Sequence, residues 1–293
     1  MAQGVKQKNS ADLVAGIIVL IVALGLLAAV VIAVKQLTSR LPEPTQGTTM
    51  TTTPTTAPTQ PPEPTLAPNP FGQDAFLYDD DGYLTCLTAE SWLGIDVSEH
   101  QGSVQWDQVA ASPVEFAMIR MGYRGWGAEG VMRPDARGQE NLQGAKEVGL
   151  KVGVYFFSQA TSVEEAVEEA HFLLELLNGQ PLDLPVVFDW ETVSNEDART
   201  ANMDKETLNA CALAFCREIR QAGYDAMVYF NLHLAKGMFD LLTLQQADLD
   251  FWLAMYHDTF GYAYAVQMWQ YSDNGSVPGI KGRVDMNLYF PGG

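Results

Sequence analysis

The chain reads as an α/β protein: a modified TIM-like β/α barrel with eight strands and fewer than eight helices, preceded by a hairpin, a disordered linker and one transmembrane helix. Three observations predict it. Strand-like and helix-like segments alternate from about residue 92 onward, the pattern of a parallel sheet. The last three strand segments follow one another too closely for full helices between them. Composition also changes abruptly, because all 30 aromatic residues lie from Phe71 onward while nine of the 15 prolines fall within 41–70.

In chain order, residues 1–12 form a short amino-terminal tail, expected on the cytoplasmic side. Residues 13–34 carry no charge and are mostly Leu, Ile, Val and Ala. A helix of that length spans about 33 Å, close to the roughly 30 Å of a bilayer's hydrocarbon. It exceeds a signal peptide's apolar core and no Ala-x-Ala follows, so an uncleaved signal anchor is expected. Lys6 and Lys8 before it balance Lys35 and Arg40 after it, but no Lys or Arg occurs from Leu41 to Ile119. That suits an exported segment. Residues 41–70 hold nine Pro and ten Thr, too little apolar surface to fold, and read as an extended spacer. The expected location is therefore the cell membrane, single-pass, with the folded part outside.

Residues 71–91 read as a leading hairpin, Asp81-Gly82 turning between Phe76-Leu77-Tyr78 and Tyr83-Leu84-Thr85. The run Asp79–Asp81 lacks the alternating ligand spacing of a calcium loop. Within the barrel, 92–293, the expected strands are 93–97, 116–122, 151–157, 185–190, 226–230, 251–256, 265–270 and 283–289. Amphipathic helices are expected near 104–111, 138–148, 162–178 and 203–222, with a shorter one near 232–242. The acidic run within 163–170 reads as a solvated helix face with Ala and Val turned inward.

A β/α barrel gathers its chemistry at the carboxyl ends of its strands. The residues there are Asp96, Tyr155, Asp189 with Glu191, Tyr229, Tyr256 and Gln270, and Asp285 lies within the last strand. On a strand, residues two apart point the same way with Cα atoms about 6.6–6.8 Å apart. Asp189 and Glu191 should therefore share one site, where burial and mutual repulsion raise at least one pKa. A protonated acid beside an anion is what glycosidic cleavage requires. Lining by acids and aromatics suits a carbohydrate. The net charge of −19 argues against nucleic acid as a partner.

Several motifs in register carry a family resemblance. They are Gly94-Ile95-Asp96-Val97-Ser98-Glu99-His100-Gln101-Gly102 with Trp106, Ile119-Arg120 with Gly122, and Asp135 with Asn141. Then follow Gly149 to Phe157, Asp189-x-Glu191, Trp252-Leu253-Ala254-Met255-Tyr256, Trp269-Gln270-Tyr271, Val277 to Ile280, and Val284-Asp285-Met286-Asn287. Over about 92–290 the sequence resembles glycoside hydrolase family 25, the Chalaropsis-type lysozymes. The resemblance implies a barrel of eight strands and fewer helices. It also implies cleavage of the β-1,4 bond between N-acetylmuramic acid and N-acetylglucosamine in peptidoglycan. Glu191 would be the general acid and base, and Asp189 would stabilise the cationic transition state or orient the acetamido group. Asp96 and Asp285 would be supporting carboxylates, and Tyr155, Tyr229, Tyr256 and Gln270 would contact the sugars. Phe156 departs from the pattern, since many relatives have His there. A chitinase-like endo-N-acetylglucosaminidase and an inactive wall-binding protein are the alternatives.

Other signals are weaker. Gly125-Trp126-Gly127-Ala128-Glu129-Gly130 matches a dinucleotide fingerprint, but no helix opens after it and Pro134 interrupts the run. The four histidines show no metal-ligand spacing, so neither a metal nor another cofactor is expected. Three cysteines cannot make a complete disulfide framework, and Cys216 reads as core packing. The catalytic domain is expected to be monomeric.

Overall fold

The computed structural model describes residues 65–292. The apolar stretch 13–34 and most of the Pro/Thr stretch lie outside the described residues. Among the described residues, no helix is long and apolar enough to cross a membrane.

A short hairpin, β1 (Phe76–Tyr78) and β2 (Leu84–Cys86), precedes the barrel. The barrel strands are β3 (Trp92–Val97), β4 (Phe116–Arg124), β6 (Lys151–Ser158), β7 (Val186–Trp190), β8 (Ala226–Asn231), β9 (Asp250–Ala254), β10 (Met268–Gly275) and β11 (Val284–Tyr289). They pair in that order and β11 returns to β3, closing eight strands; β5 (Met132–Pro134) adds antiparallel to the end of β4. The helices are α1 (Trp106–Ala110), α2 (Gly138–Glu147), α3 (Val163–Leu177), α4 (Lys205–Gln221), α5 (Leu232–Gly237) and α6 (Leu241–Gln246). Among the described residues, six α-helices accompany the eight barrel strands. The single short helix expected near 232–242 is two, because Phe239 is buried and Asp240 starts a new helix by accepting from the Thr243 amide at 3.2 Å.

The sheet departs from the expected all-parallel arrangement in one strand. β11 runs antiparallel to both β10 and β3. The physical reason is chain length: between Gly275 and Val284 there is no room for a crossover helix, which a parallel return needs. The reversal places the start of β11 at the rim where the other strands end, with Asp285 paired to Asp96.

Alternation along the strands sorts side chains into two layers. Inside the barrel lie Phe116, Met118, Val187, Met227, Tyr229, Trp252 and Met268. Outside, against the helices, lie Ile95, Val152, Val154, Val186, Phe188, Val228, Phe230 and Leu253. Gly94 is required by the floor: a Cβ there would collide with the Phe116 ring.

The outer face of β10, with no helix on it, is covered by the hairpin. Phe76 packs edge-on against Trp269 at 5.1 Å between ring centroids, and the Leu84 amide reaches the Tyr271 hydroxyl at 3.5 Å. Residues 65–70, at the end of the stretch read as linker, also lie on the barrel. Pro68 bridges Tyr264, the Asn69 amide donates to the Ala263 carbonyl at 3.0 Å, and the Ala265 amide donates to the Ala67 carbonyl at 2.9 Å. Leu66 and Phe71 pack against the core, which explains why these residues are ordered despite their prolines.

Candidate active site

The strand ends converge on a cleft of about 240 Å³ whose lining includes Asp96, Tyr155, Asp189, Glu191, Tyr229, Tyr256, Gln270 and Asp285. All eight residues singled out in the sequence meet there. Ser98, His100, Gln101, Arg120, Phe157 and Trp252 complete the wall.

Asp96 is the penultimate residue of β3 and is buried. Its Oδ2 accepts from Gln270 Nε2 at 2.9 Å and from Asn287 Nδ2 at 2.8 Å. Each amide is locked in turn. Gln270 Oε1 accepts from the hydroxyls of Tyr229 at 3.0 Å and Tyr256 at 3.1 Å, and Asn287 Oδ1 accepts from Trp252 Nε1 at 2.8 Å. Gln270 is therefore occupied as a tie among Asp96 and two tyrosines. Asn287 plays the matching part on β11, a role its motif position alone did not reveal.

Burial pushes all four carboxyls upward. Asp285 rises to about 8, through burial first and then the charge of Asp96, with which it shares a hydrogen bond. Two carboxyls sharing one proton are held together by it, and the amides of Gln270 and Asn287 on Asp96 oppose part of its own upward push from burial. Asp189, on the inward face of β7, is raised by burial and by the charges of Glu191 and Asp96, with Arg120 opposing. Its Oδ1 is buried without a hydrogen-bond partner. Glu191, just beyond β7, is raised to about 7 by burial and by Asp96.

Two supports behind the cleft were not anticipated. Gln159, fully buried after β6, donates from Nε2 to the Glu191 carbonyl at 2.8 Å and accepts from the Thr200 hydroxyl at 2.9 Å. Arg120 is fixed by Asp135 at 2.7 Å and Glu99 at 3.3 Å, presenting its charge to the cleft. The cysteines Cys86, Cys211 and Cys216 are buried and free, and among the described residues no group of His, Cys, Asp and Glu is arranged to hold a metal.

A closed barrel with a cluster of protonatable carboxyls at its strand ends fits the class of glycoside hydrolases. The chain belongs to the glycosyl hydrolases family 25, whose model matches residues 95–280, a span that takes in Asp96, Asp189 and Glu191. It is 29% identical over 200 residues to the autolytic lysozyme of Clostridium acetobutylicum, covering 68% of this chain and 56% of that one. Over 204 residues it is 26% identical to lysozyme M1 of Streptomyces globisporus, covering 67% of each. The fold is similar to that of the modular autolysin LytC of Streptococcus pneumoniae, solved in complex with a synthetic peptidoglycan ligand. That similarity has a TM-score of 0.61 and 22% identity over 77% of this chain and 52% of LytC. The chain thus spans little more than half the length of the clostridial lysozyme and of LytC.

Proposed function

We propose that the chain is a peptidoglycan hydrolase, an N-acetylmuramidase that cleaves the β-1,4 bond between N-acetylmuramic acid and N-acetylglucosamine. The observation that carries this reading is Glu191, a carboxyl with its pKa raised to about 7 beside Asp189 in the cleft. Glu191 gives its proton to the glycosidic oxygen as the bond to the anomeric carbon breaks. The substrate's acetamido oxygen closes onto that carbon. Asp189, its Oδ1 buried and unpartnered, accepts the acetamido N–H and offsets the positive charge. Glu191, now a carboxylate, takes a proton from the water that opens the intermediate. The unpartnered Oδ1 leaves Asp189 free to make that contact. Asp96 and Asp285 keep a shared proton beside the sugar, while the tyrosine rings of Tyr155, Tyr229 and Tyr256 offer apolar faces to the sugar rings.

We further propose that residues 13–34 anchor the protein in the cell membrane and that the Pro/Thr stretch carries the barrel to the wall outside. The charge-free apolar run and the absence of Lys and Arg from Leu41 to Ile119 support this reading.

The test is digestion of purified peptidoglycan, borohydride reduction and mass spectrometry. The expected products end in muramitol and are absent with Glu191→Gln, which keeps its fold and its glycan binding. Glucosaminitol ends would make the protein an endo-N-acetylglucosaminidase. Binding without fragments would make it a wall-binding protein.

A further inference from the structure

The cleft continues past the carboxylates. Beyond His100, Arg120 and Phe157, which line both spaces, it opens into a second depression of about 470 Å³ bordered by Tyr123 and Trp126. Trp126 is 46% exposed, a large aromatic surface left in solvent at the edge of a binding cleft. Its position is not a matter of loose chain. The Gly125 amide donates to the Val131 carbonyl at 3.0 Å, and the Gly130 amide to the Gly127 carbonyl at 2.9 Å. The Trp126 carbonyl itself accepts from the Arg199 amide at 2.9 Å, and Arg124 Nη1 holds the Gly130 carbonyl at 3.0 Å. Gly130 sits at φ +53, where a Cβ would strike the Arg199 guanidinium. The backbone that carries Trp126 is therefore held at the edge of the depression.

Charge narrows the occupant. The guanidinium groups bordering this depression already have partners: Arg120 holds Asp135 and Glu99, and Arg124 holds Glu169 and Glu168. Glu99 is itself paired with Arg120, so a carboxylate-rich stem peptide finds no unpaired arginine or lysine among the described lining residues. An uncharged ring with an apolar face and peripheral hydroxyls matches an exposed indole flanked by Tyr123 and Phe157. We infer that Trp126, Tyr123 and Phe157 form an additional saccharide subsite that binds an N-acetylglucosamine ring of the glycan strand beyond the sugars at the scissile bond. This rests on the muramidase reading for the identity of the strand.

The experiment compares the full-length chain with Trp126→Ala and Trp126→Tyr on peptide-free glycan tetrasaccharide and octasaccharide. In parallel, octasaccharide binding is measured in the Glu191→Gln background with and without Trp126→Ala. The expected result is a loss in kcat/KM of about tenfold on the octasaccharide, carried by KM, the size of effect a stacked aromatic contact supplies. The loss should be clearly smaller on the tetrasaccharide and mostly restored by Tyr. A loss equal at both lengths, or no loss, overturns the subsite. A loss that appears only when a stem peptide is added to the tetrasaccharide reassigns the depression to peptide and also overturns it. Binding that depends on Trp126 while the wild-type chain releases no reducing ends keeps the subsite and removes the muramidase reading.

Discussion

Gln159 joins Glu191, the acid proposed to react, to the barrel wall. Its amide fastens the Glu191 carbonyl and the Ser158 carbonyl at 2.9 Å, and its own oxygen is held by Thr200. Glu191 lies past the last ladder position of β7, so this tie fixes a residue that the sheet no longer holds. The elevated pKa of Glu191 depends on staying buried near Asp96. Gln159→Ala should let the segment relax toward water, lowering that pKa from about 7 toward the ordinary carboxyl range. A general acid works only while protonated, so kcat/KM falls as pH rises through its pKa. The alkaline limb of the pH–rate profile, near pH 7 in the wild type, should move to lower pH in the variant. Turnover at pH 7 should drop by about tenfold, within the range a positioned acid contributes. A profile that stays in place while only thermal stability falls would reduce Gln159 to packing.

Among the elements, α3 carries the largest surprise. Its acidic run reads as a solvated face, yet Glu169 is fully buried, paired with Arg124 Nε at 2.7 Å and accepting from the Ser158 hydroxyl at 2.5 Å. Burial outweighs these partners and lifts it to about 7. Removing one member of a buried pair strands the other's charge. Arg124→Ala should therefore cost about 3 kcal/mol at pH 8 by denaturant unfolding. With the cation gone, the folded-state pKa of Glu169 climbs further, so the folded protein holds a proton that the unfolded chain releases above about pH 4.5. The penalty consequently grows with pH and should shrink near pH 5; an equal penalty at both values would contradict this account. Local pattern made the strands readable, because period-two alternation puts Asp189 and Glu191 on one side and marks the buried run Val186–Phe188. It could not reveal Glu169, whose burial depends on an arginine 45 positions earlier on another element. Nor could it give the direction of β11, which a loop too short for a crossover helix decides. The coverings of β10 are likewise tertiary, since Phe76 and Leu84 find Trp269 and Tyr271 only after closure.

For the molecule as a whole, the amino-terminal approach matters to stability. Residues 65–71 contribute backbone bonds to Ala263 and Ala265, side-chain bonds between Gln245 and Thr65 and Ala67, and the Phe71 ring against Phe76 and Phe290 at 5.1 and 4.6 Å. A fragment beginning at residue 65 should melt several degrees above one beginning at residue 72, because the latter exposes the ring of Phe290 and loses a buried aromatic contact. Equal melting temperatures would mean that the segment merely lies on the surface. The reversed strand has a consequence for traffic around the barrel. Since β11 starts at the rim and ends with Tyr289 beside Trp92, where β3 begins, the chain comes into the barrel and goes out of it through the floor. A final strand running with the others would instead have delivered the chain's exit among the acids. The chain's entry into the barrel and its exit are thereby both kept on the face opposite the cleft, so neither crosses the rim where the acids gather.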